Sequence, residues 1–544
     1  MRRLVGRATG TCVLKRHVDA LGAGTFDLLV VGGGVYGAWT AYDAALRGLR
    51  VAIVEQGDWA SGTSSTSSKL IHGGLRYLEY HKFGLVRKAL RERNRLRQLA
   101  PHRVQRLRFA IPLYGVGWRM RLKLRLGLIL YDMIARAQRP LHGHESLSRQ
   151  RMKQKYDFIK RDRLEGGFTY GDCQTDDARF TLELIDGALH AGTIAINHAS
   201  VLRLTEDRGA IVGAVVEDRL EGTTIQIKAK FTALCAGAWN QTLLEAAVPG
   251  STLKTRFSKG VHLVMPALPT SDAFLLLTGE RGRVVFLIPW NGRTLLGTTD
   301  TPFEGDPRNA RCLAADETYL LDHANAVLKD VQWTENDVIG RYTGLRTFMD
   351  KAGDPSSLAR EWSLAKPYGG VVASVGGKYT SARVDAAKLV DHVCNELGRD
   401  PGPCPTAQRP FPWRPEGRYR SWQQRTLDQS LRLGLDEETA LACQLRYGRR
   451  FEVLLRMIEK MPRLARRFVP ETPMCIGELV FCSRYEMVAN LQDLLRRRLP
   501  LTLIATLPEQ RVRLAAAVAG KILRWSNERQ IAEVRSICGE ISGP

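Results

Sequence analysis

Three glycines and one acid carry the first recognisable chemistry in this 544-residue chain. Gly32, Gly34 and Gly37 form G-x-G-x-x-G, and Glu55 closes the apolar segment that follows. In such a pattern Gly32 allows a tight turn, Gly34 lets backbone approach a pyrophosphate, and Gly37 lets helix and strand pack closely. The N-terminus of the helix offers unpaired N–H groups and a partial positive charge to phosphates. Glu55 would accept from the ribose hydroxyls of an adenosine. The elements needed to position them are in register: a strand over 28–31, a helix ending near Gly48, and a second strand over 51–54. The bland alternative is a glycine turn that only packs.

The next stretch, SGTSSTSSKLIHGGLRYLEY (61–80), has neither helix nor strand period. A nicotinamide enzyme would pass directly to another strand–helix unit. An irregular loop rich in hydroxyls and backbone N–H groups suits the pyrophosphate and edge of a bulkier cofactor, which points to FAD. The candidate contacts are Thr63, Ser64, Ser65, Ser68, Gly73 and Gly74. A disordered serine linker would not normally end in LIHGGLRYLEY.

Further along, VVFLIPW-NG-RTLLGTTD (284–300) reads as a β-hairpin turning at Asn291-Gly292. FTALCAGAWN (231–240) is a strand followed by small residues. Residues 371–375 are a buried strand running into Gly376-Gly377-Lys378, and Ala386, Leu389, Val390, Val393 and Leu397 then mark one face of a helix. That unit would aim a helix N-terminus at a redox ring and stabilise negative charge developing there. PCPTAQRPFPWRPEG (403–417) reads as a linker. Helices follow: one capped by Asp436, then RFEVLLRMIEK and RYEMVANLQDLLRRR, with TLPE (506–509) as a capping box for the last stretch. GWRMRLKLRLGLILYDMIARAQR (117–139) is basic and apolar together; its first half alternates like a strand.

Composition sets the frame. Apolar residues make up 44% and charged residues 25%, as in a soluble globular protein of several domains. A net charge of +24 favours anionic partners without choosing among them. The ten cysteines show no metal spacing, so no metal is expected and reduced thiols in a cytosolic setting are. No apolar run approaches a membrane-spanning length. The first 24 residues are Arg-rich and lack the apolar middle of a secretory signal; they read as an unstructured extension, with a mitochondrial presequence as the alternative. No DNA- or RNA-binding signature accompanies the charge.

GTSSTSSKLIHGGLRYLE (62–79) closely resembles the signature of the FAD-dependent glycerol-3-phosphate dehydrogenases. The resemblance continues through YGDCQTDDARF (170–180), SKGVHLVM (258–265), the 284–300 hairpin, YTGLR (342–346), SVGGKYTSAR (374–383) and ELVFCSRYEMVANLQDLLRRR (478–498). It implies an α/β fold with an FAD-binding Rossmann-like domain of the glutathione-reductase type, an antiparallel-sheet substrate domain and a C-terminal helical domain. The expected division is 25–100, 160–250 and 355–402 for FAD, 101–159 and 251–354 for substrate, a 403–420 linker and helices over 421–544.

The activity implied is oxidation of sn-glycerol 3-phosphate to dihydroxyacetone phosphate, with hydride passing from C2 to flavin N5 and electrons to membrane quinone. The family attaches to the cytoplasmic membrane face, which the basic 117–139 segment would suit; a homodimer is left open. The lack of an Asp-rich calcium loop favours a bacterial over a mitochondrial form. By resemblance Arg76, Tyr77, Arg360 and Lys378 hold the phosphate, and Gly237, Gly376, Gly377, Lys378 and Thr380 contact FAD. Arg346 would stabilise developing alkoxide, Lys378 would assist, and His262 is the preferred general base because imidazole titrates in the useful range. Two departures stand out: AGAW replaces the usual TGPW, and Thr347 replaces the proline usual after Arg346. An oxidase of another phosphorylated polyol, a flavoprotein without turnover and a basic nucleic-acid-binding protein are the rival readings.

Overall fold

The computed structural model describes residues 13–136, 143–279, 283–350 and 361–542. Two compact units result: His17–Pro412, and Trp413 onward together with the described residues up to Arg16.

In the first unit, strand β1 (Thr25–Val31) lies parallel between Thr223–Leu234 and β2 (Val51–Val54). Every residue of β1 after Thr25 is buried, as expected of a strand covered on both faces. Helix α1 (Val35–Leu46) leaves the glycine turn and packs against Asp177–His190 and Ala382–Glu396. The eight-stranded sheet continues through Ile194–Ile196 on one side and through Val371–Val375 and Ser363–Tyr368 on the other, with two antiparallel strands attached.

A ten-stranded, mostly antiparallel sheet forms the second layer, built on Gln105–Tyr114, Thr255–Met265 and the hairpin Val284–Trp290/Arg293–Gly297. The hairpin turns at Asn291 and Gly292, both left-handed. Strand Leu164–Gln174 pairs with Gln105–Tyr114, so it belongs to this sheet and the chain returns to the nucleotide-binding layer only with Asp177–His190, not near residue 160.

Three sequence expectations change. Residues 17–24 are not loose: Val18–Leu21 form a 3-10 turn that puts Leu21 into the core beside Phe26. The proline-rich stretch is anchored, because Phe411 packs edge-on against Trp39 and Phe180. The alternating half of 117–139 is helix: after α2 (Phe83–Leu99), helix α3 runs Gly117–Arg136. Its Leu, Arg, Met and Lys favour helix, and no β-branched residue occurs before Ile129.

In the second unit Asp436 caps Glu437–Tyr447 by accepting the Thr439 N–H at 3.0 Å. Phe451–Lys460 follows, but RYEMVANLQDLLRRR splits between Ile476–Tyr485 and a π-helical turn, Asp493–Arg498. The TLPE box does not form; helix Glu509–Leu523 begins after Pro508 with no side-chain cap. Cys443, Cys475 and Glu478 come together, but Glu478 is already engaged by Arg446, the Tyr447 hydroxyl and the Cys475 N–H. No helix among the described residues is long and apolar enough to cross a membrane.

Candidate active site

A cavity of about 530 Å³ lies in the first unit and gathers residues from Gly32 to Thr380. Its size is that of a cofactor or ligand pocket. The N-terminus of α1 borders it. Gly32 is left-handed (φ 108°), and a Cβ there would come 2.6 Å from the Cys235 carbonyl oxygen. Gly34 caps the helix with no side chain of its own, and the Val35 N–H donates to Ser64 Oγ at 2.9 Å. Gly37 lies off the cavity; its role is close packing, since a Cβ would overlap the Gly32 carbonyl.

Glu55 lines the cavity and also braces the turn. Its carboxylate accepts the Gly33 N–H at 2.6 Å and the Gly57 N–H at 2.9 Å. Burial pushes its pKa up, against the pull of those two backbone donors. A carboxylate has about four acceptor positions, so further donors can be taken.

The hydroxyl-rich loop divides by role. Thr63 donates to the Leu345 carbonyl at 2.8 Å and lines the cavity with Ser64. Ser65 is outside the lining; its carbonyl accepts from Lys69 Nζ at 3.0 Å. Ser68 lines the cavity, but its hydroxyl is shared with His262 Nε2 at 2.8 Å. Gly73 is also outside the lining. Its N–H donates to Tyr131 Oη at 3.0 Å and Asp172 Oδ1 at 3.2 Å, and a Cβ would collide with Tyr131 and Leu90. Gly74, Gly237, Gly376, Gly377 and Thr380 all face the cavity, and Thr380 Oγ1 accepts the His72 N–H at 3.0 Å.

Cations line the same cavity. Lys378 Nζ stands 3.3 Å from the Tyr77 ring centroid, and Arg76 lines the same wall. Arg346 reaches Thr298 Oγ1 at 3.0 Å and forms an ion pair with Asp300 at 3.3 Å. His262 is buried and stacked on Tyr342, with ring centroids 4.9 Å apart. Burial first, then the charges of Arg346 and Lys69, holds its pKa well below the usual histidine value. A neutral imidazole in that position can accept a proton at neutral pH. Arg360 lies outside the described residues.

Several lining or supporting groups were not singled out by sequence. Thr298 and Asp300 fix Arg346 from the hairpin's far end. Lys69, ion-paired to Asp177 at 2.6 Å, lies over the rings of Trp290 and Tyr342 and adds charge behind His262. Tyr36 lines the cavity from the first turn of α1. Only the hydroxyl-to-acid and ring-to-cation pairings formed by folding reveal them; each is an ordinary residue in its own segment.

The residues suit FAD. A helix N-terminus, a glycine turn closed to any side chain, a run of hydroxyls and several cations border one continuous space. A family model described as FAD dependent oxidoreductase matches residues 27–383, and one described as the C-terminal domain of alpha-glycerophosphate oxidase matches 404–530. The chain is 39% identical over 376 residues to the glycerol-3-phosphate dehydrogenase of Mycobacterium leprae (strain TN), covering 69% of this chain and 64% of that one. The chain therefore spans under two thirds of that relative's length. To the glycerol-3-phosphate dehydrogenase of Synechocystis sp. it is 33% identical over 502 residues, covering 88% of this chain and 89% of the relative. Among solved structures, glycerol-3-phosphate dehydrogenase from Bacillus halodurans complexed with FAD superposes with a TM-score of 0.79 at 27% identity, over 96% of each chain. With the glycine turn, the hydroxyl loop and the cation cluster meeting in one cavity, and with these matches in both halves, the chain belongs to the FAD-dependent glycerol-3-phosphate dehydrogenase family.

Proposed function

We propose that this protein oxidises sn-glycerol 3-phosphate to dihydroxyacetone phosphate and passes the electrons to membrane quinone. The observation that carries the reading is the charge of the cavity lining: Arg76, Lys378 and Arg346 border the same space as the glycine turn and the hydroxyl loop. A small dianion needs such a grip, and guanidinium suits phosphate in a bidentate geometry. Arg76, Tyr77 and Lys378 bind the phosphate. That grip orients the secondary alcohol toward His262 and Arg346.

His262 accepts the hydroxyl proton, either directly or through Ser68, whose oxygen it already contacts. Arg346 stabilises the alkoxide as it forms, and Asp300 and Thr298 hold the guanidinium in place. FAD, when bound, accepts the two electrons and the hydrogen that leave the carbon. Loss of the hydroxyl proton to the neutral base, together with loss of hydride from the carbon, gives the ketone.

The surface of helix α3 supports the proposed acceptor and location. Helix α3 exposes Trp118 (71%), Leu126 (56%) and Met133 (61%) among Arg119, Arg121, Lys123 and Arg125. A basic, apolar, non-spanning helix suits attachment to an anionic membrane face, where quinone is available. The test is anaerobic titration of the FAD-loaded, detergent-purified protein. Glycerol 3-phosphate should bleach the yellow chromophore and glycerol should not; absence of bleaching by any phosphorylated polyol removes the reading. Stopped-flow reoxidation with a quinone and with oxygen then decides between dehydrogenase and oxidase.

A further inference from the structure

Tyr36 occupies a variable position of the glycine fingerprint, yet its phenol reaches across the fold. The hydroxyl accepts the backbone N–H of Lys378 at 3.0 Å and donates to Asp385 Oδ2 at 3.2 Å. The Lys378 carbonyl lies near as a second acceptor at 3.3 Å. Asp385 is fully buried; it accepts from Ser381 Oγ at 2.8 Å and is ion-paired with Lys88 of α2. Burial first, then the charge of Asp385, keeps the phenol protonated and therefore a donor.

The opposing turn is shaped to receive it. Gly376 and Gly377 are both left-handed, and a Cβ on Gly377 would overlap the Tyr36 hydroxyl. Lys378 thus has its backbone tied to α1 while its ammonium stands 3.3 Å over the Tyr77 ring. Donation to the buried carboxylate also strengthens the phenol oxygen as an acceptor. Helix α1 is the same helix whose N-terminus and glycine turn border the cavity.

We propose that Tyr36 is a positioning residue for the substrate's phosphate group: through its hydroxyl, backed by Asp385 and Lys88, it fixes Lys378 over Tyr77 and links the phosphate grip to the cofactor-binding helix. The inference rests on the phosphate-binding reading above. It does not require Tyr36 to touch substrate.

The experiment uses the full-length, FAD-loaded protein and its Tyr36→Phe variant. The affinity for inorganic phosphate is read from perturbation of the flavin absorbance, and KM and kcat for glycerol 3-phosphate are measured alongside. Loss of one buried acceptor for an N–H should weaken phosphate binding and raise KM about tenfold, with kcat within about twofold. FAD content and melting temperature should stay at wild-type values. Asp385→Asn, which keeps the volume, should shift phosphate affinity in the same direction, and the double variant should be little worse than Tyr36→Phe alone. Unchanged phosphate affinity in Tyr36→Phe, or loss of affinity only in step with loss of FAD, overturns the proposal. Arg76→Ala separates the two levels: if it loses phosphate binding and Tyr36→Phe does not, only the present inference fails. If neither wild type nor variant binds phosphate saturably, the phosphate reading fails and takes this one with it.

Discussion

His262 and Arg346 show how one side chain's environment selects its task. The imidazole is sealed between Tyr342 and the strand carrying Gly297, with two cations nearby, so protonation is disfavoured. Because its pKa is lowered, the proton-accepting form persists as pH falls through the usual histidine range. The acid limb of kcat/KM should therefore lie well below pH 6.5. His262→Asn should lower kcat/KM about 100-fold or more at every pH, measured by steady-state dye reduction. Arg76→Ala acts differently. Removing one charged hydrogen-bond partner of a dianion should raise KM for glycerol 3-phosphate by about one to two orders of magnitude and leave FAD content unchanged.

At the scale of elements, two helices make separable predictions. Helix Asp177–His190 carries Glu183, which is buried with His102 at 3.0 Å and Arg103 at 2.9 Å. Burial alone would raise its pKa, but its contacts with His102 and Arg103 outweigh burial and hold it at about 2. Its folded value is thus depressed below the unfolded one. The stabilisation is fully present above about pH 4.5 and is lost as pH falls toward 2, amounting to roughly 3 kcal/mol. Glu183→Gln should lower the melting temperature at pH 7 and flatten its fall across that acid window, as scanning calorimetry would record. Helix α3 is the other case. Its inner face is secured by Leu128 and Tyr131, the latter donating to Asp172 at 2.7 Å, while its outer stripe meets solvent. Leu126→Glu with Met133→Glu should reduce binding to phosphatidylglycerol vesicles at least about tenfold in flotation assays, with soluble turnover retained.

For the whole molecule the net charge of +24 becomes a kinetic quantity. A field of that sign would concentrate the proposed dianionic substrate at the cavity and would favour anionic surfaces. KM for glycerol 3-phosphate should rise several-fold from low to physiological salt as the field is screened, while kcat changes little. A salt-independent KM would confine the electrostatics to the cations that line the cavity. The two sheets meet this demand by alternation: the chain leaves the nucleotide-binding layer after β2, returns at Asp177–His190, leaves again at Thr255–Met265 and returns at Ser363–Tyr368. Segments from both layers line the cavity.

Local pattern alone determined the glycine turn, its flanking strands, the Asn291-Gly292 hairpin and the Asp436 cap, because each depends on residues a few positions apart. Family resemblance, carried by distinctive segments, supplied Arg76, Tyr77, His262, Arg346 and Lys378 as candidates. Tertiary structure decided what those segments do to one another. It turned Gly73 and Ser65 away from the cavity, gave Ser68 to His262, and tied Lys378 to Tyr36 across more than three hundred residues of chain. It also made α3 a helix and locked Leu21 and Phe411 into the core. The physical reason is that hydrogen-bond partners, burial and charge neighbours are set by three-dimensional proximity, whereas turn geometry and capping are set by sequence adjacency.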